Sequence, residues 1–280
     1  MITVGIIALL FSIGLVGLTI AKRNAQKTRV RDDLQMIGMA LTQYQADFHD
    51  IPRFADPAAD QATQNFKYNG TWLDYSNDRG ARLLCQALIA PGPAGTGAYA
   101  NSGEDGADGP GFRVRRTVVG GGSSGTLSGK VYGPYLQADK FKLESSPSLF
   151  TNMQDAKILD STGSPILYYP ALPGSPAVTL NAGFVTNSNP QSPQPVKPLY
   201  NAFDNTMDMT TNKPLLSPTD MAYLLGDTNL DGSIDNGESA TTTQPYLLWC
   251  AGLDGMFGRD KNGKTDDILA NVDFPPGVRK

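Results

Sequence analysis

The sequence predicts an α+β fold, in which one long amino-terminal helix precedes a globular part built on a loop-rich antiparallel β-sheet. The helix is predicted by an uncharged apolar run from Ile2 to Ala21 and by the absence of proline before Pro52. The sheet is predicted by short segments of β-branched and aromatic residues between stretches rich in glycine and proline. The chain therefore divides into a helical part, 1–52, and a globular part, 53–280. The strand-like segments are 130–136, 166–169 and 245–250.

The apolar run at 2–21 is long enough to cross a bilayer, since about twenty helical residues span a ~30 Å hydrocarbon layer. It predicts a membrane anchor, with 22–52 as the exposed half of the helix. A cleaved signal peptide and a buried helix of a soluble domain are the alternatives. The basic residues after the run, such as Lys22 and Arg23, would keep that end in the cytoplasm, unless a basic leader precedes Met1.

A periodic apolar stripe follows the run. Its members are spaced alternately four and three residues apart, so they share one face of a helix. Such a stripe predicts a subunit that packs beside copies of itself. The stripe consists of Val30, Leu34, Ile37, Leu41, Tyr44 and Phe48.

Composition limits the function classes. The chain has 280 residues, of which 40% are hydrophobic and 18% charged, and this suits one mid-sized domain with large insertions. A net charge of −4 argues against nucleic-acid binding, because neutralising phosphates needs a basic surface. Two cysteines, Cys85 and Cys250, could form a disulfide in an exported protein or remain buried free thiols.

Residues 227–238 match every position of the twelve-residue calcium loop, with glycine at position six and a carboxylate at position twelve. The preceding Ser217 and Pro218 predict a capped helix that leads into the loop. The alternative is a metal-free acidic turn. The predicted Ca²⁺ ligands are Asp227, Asn229 and Asp231 through side-chain oxygens, Ser233 through its carbonyl, Asp235 through water and Glu238 through a bidentate carboxylate.

A second acidic loop spans Gly252 to Ile268. It holds five oxygen-bearing side chains within fourteen residues, but its spacing fits no EF-hand. Taken alone, it is equally well explained as a solvated loop.

Four segments carry a family resemblance: Leu34–Pro52, Gly133–Leu136, Asp160–Tyr168 and Gly252–Ile268. In this order they resemble the major pseudopilin of bacterial type II secretion systems, within the wider type IV pilin-like class. The first resembles that family's helix and its tyrosine–proline exit, and the last its calcium-holding carboxy-terminal loop. Thr162 stands where the family has tryptophan, and 54–129 and 171–240 exceed the compact family domain.

The resemblance implies a structural subunit of a periplasmic filament that associates with copies of itself, other pseudopilins and inner-membrane secretion components. It also implies an inner-membrane protein with one span and a periplasmic or extracellular globular part. Calcium in the second loop is implied at Leu253, Asp254, Asp260, Asn262, Asp266 and Asp267.

Two other classes are weighed against the filament subunit. An anchored or secreted binding module with a dockerin-like loop is the alternative, although dockerins carry two such loops in tandem. An enzyme is not expected, because His49 is the only histidine and no nucleophile elbow, zinc-protease or phosphate-loop motif occurs.

Overall fold

The computed structural model describes most of the long helix, the central sheet and the two acidic loops. The segments 54–65, 90–111 and 172–198, within the insertions predicted from the sequence, lie outside the description. The described residues are 2–53, 66–68, 71–73, 78–89, 112–113, 117–119, 126–128, 131–144, 156–171, 199–208, 210–230, 234, 237–274 and 278–279.

Helix α1 spans Ile2–Phe48, which confirms the single long amino-terminal helix. At ~1.5 Å rise per residue it is about 70 Å long. It ends where His49 takes a left-handed backbone conformation with φ of 61°, a common way for a helix to terminate. From Val30 to Leu41 the apolar stripe is buried, while Tyr44 and Phe48 are half-buried. The face that predicted packing with other copies is thus covered by the chain's own globular part.

The predicted membrane span is not found. Of the helices in the described part of the chain, none is both long enough and apolar enough to cross a membrane. The side chains of α1 are described only from Leu18 onward, and there the charged Lys22, Arg23 and Arg31 are exposed. This finding corrects the predictions of a membrane anchor at 2–21 and of a single-pass inner-membrane protein.

The centre of the globular part is an antiparallel three-stranded sheet. Its strands are β9 (Leu167–Pro170), β12 (Tyr246–Cys250) and β13 (Ile268–Leu269), with β12 in the middle. Trp249 of β12 pairs with Leu167 on one side and Leu269 on the other. The first two strands confirm the strand predictions at 166–169 and 245–250.

Side chains alternate between the two faces of this sheet, and each face has its own core. Tyr168, Leu248 and Cys250 join the core beneath α1 and helix α2 (Arg79–Leu88). Tyr169, Leu247 and Trp249 join the core beneath helix α3 (Pro218–Leu225). Every side chain of β9 is buried, because a core covers each face of the strand.

The remaining strands are short and pair only in twos. The segment 130–136, predicted as a strand, contributes only two strand residues. The antiparallel pairs are β1 (Phe66–Tyr68) with β2 (Thr71–Leu73), β3 (Phe112–Arg113) with β6 (Val131–Tyr132), β4 (Thr117–Val119) with β5 (Thr126–Ser128), β7 (Lys142–Glu144) with β8 (Lys157–Leu159), and β10 (Met207–Asp208) with β11 (Lys213–Pro214).

Cys85 and Cys250 are both buried, and both are free thiols.

Candidate calcium-binding loops

Helix α3 leads into the first acidic loop. Its start is capped by Ser217, whose Oγ accepts a hydrogen bond from the backbone N of Asp220 at 3.1 Å, and Pro218 follows. This confirms the predicted capped start. The helix ends at Gly226, with φ of 123°, where a Cβ atom would lie 2.2 Å from the carbonyl oxygen of Ser239. A side chain is therefore excluded at the point where the loop begins.

The two ends of the first loop meet. Glu238 Oε1 accepts hydrogen bonds from the backbone N of Thr228 at 2.7 Å and of Asn229 at 3.0 Å. Asp227, only 2% exposed, directly precedes these two residues. The carboxylate at position twelve of the predicted calcium loop thus contacts the backbone of positions two and three, next to position one. The predicted ligands Asp231, Ser233 and Asp235 lie outside the described residues.

The first loop is fastened to the globular part. Thr241 donates from its backbone N to the carbonyl oxygen of Leu225 at 2.8 Å, and from Oγ1 to that of Leu224 at 2.9 Å. Ile234, within the loop, is buried in the core beneath α3. Because both ends and the middle are held, the loop is part of the folded unit.

In the second loop, Asp266 closes the turn that begins at Gly252. Its Oδ2 accepts from the backbone N of Leu253 at 2.9 Å and of Asp254 at 3.2 Å. A Cβ atom on Gly252 would lie 2.2 Å from the carbonyl oxygen of Asp266, so only glycine allows this approach. Three of the predicted ligands, Leu253, Asp254 and Asp266, are thereby brought together.

Asp260 has a different role in the same loop. Its Oδ1 accepts from the backbone N of Asn262 at 2.8 Å and of Lys264 at 3.0 Å, which makes a tight turn. Asp160 builds the same turn, with bonds from Thr162 N at 2.8 Å and Ser164 N at 3.0 Å. The two turns share the sequence pattern Asp-x-x-Gly, which favours turn formation. The interpretation of Asp260 as a metal ligand overlooked this signal.

Asp267 is buried behind the loop. Its Oδ2 accepts from Trp249 Nε1 at 2.7 Å and from Gly258 N at 2.8 Å. Burial raises the pKa of this carboxyl to about 7, although hydrogen bonds from Gly258, Trp249 and Thr265 oppose the shift. A divalent cation nearby would favour the charged form and oppose the effect of burial.

The raised pKa of Asp267 predicts a pH dependence of stability. Between pH 4 and 7 the folded state holds a proton on Asp267 that the unfolded state has released. The free energy of unfolding of the calcium-free protein should therefore fall as pH rises through this window, by up to ~1.4 kcal/mol per pH unit. Urea unfolding at several pH values measures the slope, and Asp267→Asn should flatten it. An equal slope in wild type and variant would contradict the assignment.

Helix α3 also ties the two loops together. Asp220, in its first turn, accepts a hydrogen bond at 2.8 Å from Nε of Arg259 in the second loop. The Arg259 guanidinium stacks 3.7 Å from the centre of the Tyr223 ring. Helix α3 is therefore in contact with both loops. Sequence spacing could not reveal this contact, because the partners lie far apart along the chain.

The donor set fits a hard cation, since it consists of oxygen atoms. Within the described part of the chain, however, no three acidic, histidine or cysteine side chains converge closely enough to hold a metal ion. Calcium would thus need backbone carbonyl oxygens or the loop residues outside the description. Comparison with protein families, curated proteins and solved structures finds no match to this chain.

Proposed function

We propose that this chain is a non-enzymatic structural subunit that assembles into a filament with copies of itself, as the pilin-like proteins it resembles do. The observation that carries the proposal is how α1 is used. The helix begins at Ile2, yet among its described side chains the first that is buried in the globular part is that of Val30. The section from Leu18 to Arg29, about 18 Å of helix, therefore precedes the first buried side chain.

The section of helix α1 before Val30 has exposed apolar side chains that are not packed against the globular part. Leu18 is 69% exposed and Ile20 is 55% exposed. A helix gains most of its stability from packing an apolar face, and these residues have no such packing within the described chain. A second copy, laid alongside, would bury them in the same way from subunit to subunit. An interface that does not close on itself extends into a filament.

Changing these two residues should weaken assembly. Burying one Leu or Ile side chain contributes about 1.5–3 kcal/mol, so Leu18→Glu with Ile20→Glu should raise the dissociation constant by at least about tenfold. Sedimentation velocity over a concentration series measures this. The matched control is Met39→Glu, since Met39 is also 55% exposed but lies on the half of α1 that packs on the globular part. Wild-type protein that stays monomeric at all concentrations would refute the proposal.

We infer that calcium stabilises the globular part through the two acidic loops. This rests on Glu238, which closes the first loop on the backbone of Thr228 and Asn229, and on Asp266, which closes the second on Leu253 and Asp254. A ligand that binds only the folded state adds about 2.7 kcal/mol at a hundredfold excess over its Kd. In the filament subunit, such binding would hold the surface that carries α1 in one shape.

Chelation should therefore lower the melting temperature by about 5–10 °C. Glu238→Gln keeps an oxygen that can accept the bonds from Thr228 and Asn229 but removes the negative charge. It should match wild type in chelator and melt lower than wild type in calcium. Asp32→Asn, an exposed position on α1, is the control that should leave both curves unchanged. Identical melting with and without chelator would refute calcium binding, whereas the filament proposal would still stand on sedimentation.

A further inference from the structure

The most deeply buried amine of the described chain lies outside the acidic loops. Lys157, in β8, is 0% exposed. Its Nζ lies 3.3 Å from Oδ2 of Asp78 and 3.3 Å from Oε2 of Glu144, and it contacts Oδ1 of Asp208. Asp78 and Asp208 are themselves buried. An amine and a carboxyl group are thus held together, away from water, with two further carboxylates beside them.

Asp78 and Asp208 are held by different neighbouring groups. Asp78 is held by Arg82, which donates from Nε at 2.8 Å and from Nη2 at 3.0 Å. Asp208 receives two backbone bonds on Oδ1, from Thr210 N at 2.8 Å and Thr211 N at 3.2 Å. Burial raises the pKa of Asp208, but the bonds from Lys157 and the two threonines outweigh it and leave the pKa below its usual value. Asp208 therefore starts as a carboxylate.

We propose that Lys157 and Asp208 are joined by an intramolecular amide bond, formed after the chain has folded. The ammonium of Lys157 passes one proton to the carboxylate of Asp208, and the free amine attacks Cγ of the carboxylic acid so formed. Asp78 takes a second proton from the attacking nitrogen and returns it to Oδ2. The bond from Cγ to Oδ2 breaks, and this oxygen leaves as water with two protons from the original ammonium. One ammonium and one carboxylate thus become one amide and one water, with Asp78 restored.

The surroundings favour this reaction at two points. The N–H groups of Thr210 and Thr211 point at Oδ1, where negative charge develops in the tetrahedral intermediate, as in an oxyanion hole. Holding amine and carboxyl in contact replaces a bimolecular encounter, an advantage of up to ~10⁵–10⁸ M in effective concentration.

The product also replaces a buried ion pair, whose charges are costly to remove from water, with a neutral amide. The bond would fasten β8 to β10 and so connect the core beneath α2 to the segment that leads into α3. It is independent of calcium and of assembly.

Intact-mass spectrometry of the denatured, full-length protein tests the proposal. The Lys157→Arg variant keeps the positive charge but cannot form the amide. Its amino and carboxyl termini are the same as those of wild type, so the two masses can be compared directly. After correction for the substitution, wild type should be lighter than this variant by the mass of one water. Asp208→Asn should lose ammonia in place of water, and fragmentation should show a peptide branched between residues 157 and 208. The Asp78→Asn variant, checked for folding by circular dichroism, should lose water more slowly than wild type after refolding.

Wild type at its full mass, with Lys157 recovered as an unmodified residue after digestion, would overturn the proposal. A branch between Lys157 and Glu144 would overturn the assignment of Asp208 as the partner. Because the wild-type mass decides the question, a variant that fails to fold leaves the test intact.

Discussion

Replacing Arg79 with methionine should lower the free energy of unfolding by about 3–5 kcal/mol, because it leaves a buried carboxylate without its cation. Asp204 Oδ1 accepts from Arg79 Nε at 2.8 Å and Nη2 at 2.6 Å, and both residues are buried. The pair joins the start of α2 to the 3-10 turn Ala202–Asn205, which adjoins β9. Urea denaturation followed by circular dichroism measures the loss.

Two controls separate charge from packing. Arg79→Met with Asp204→Leu removes both charges and should recover most of the loss, since a well-packed apolar pair is often as stable as a buried ion pair. Arg279→Met breaks an exposed pair with Asp273 and should cost no more than about 1 kcal/mol. If the double variant were as unstable as Arg79→Met, the loss would come from packing around Arg79 and the charge argument would fail.

The long helix was predictable because its signals are local. The stripe from Val30 to Phe48 has a helical period, and no proline interrupts the chain before Pro52. What the stripe contacts is not local information. An apolar face of this kind packs equally well on a second copy or on the chain's own sheet, and the structure shows the sheet. The membrane prediction failed in the same way, because it inferred an environment from the composition of one segment.

The acidic loops show the same division. The cap at Ser217 follows from backbone chemistry, so the sequence at the start of this helix was a reliable signal. The carboxylates were harder to assign, because one residue type serves several purposes. Asp260 makes a turn, Asp266 closes another, and Asp267 accepts from Trp249 at 2.7 Å. Only the positions of their distant partners distinguish these roles.

Replacing Trp249 with alanine should lower the free energy of unfolding by about 3–5 kcal/mol. Trp249 lies on the central strand, is fully buried, and packs with its ring centre 5.4 Å from that of Phe274. The change opens a cavity in the core beneath α3 and removes the indole N–H that Asp267 accepts. Since Asp267 also accepts from Gly258, the second loop should loosen, and calcium should then protect the variant less.

Trp249→Phe separates these two effects, because it keeps most of the ring and removes the N–H. Leaving a buried acceptor with one bond fewer costs about 1–3 kcal/mol, so this variant should lie between wild type and Trp249→Ala. Met256→Ala, in the same loop but 61% exposed, should change little. Chemical denaturation with and without calcium gives all three values. If Trp249→Phe were as stable as wild type at pH 8, where Asp267 is ionised, the Trp249–Asp267 bond would contribute nothing and the loop would be held by Gly258 and Asp266 instead.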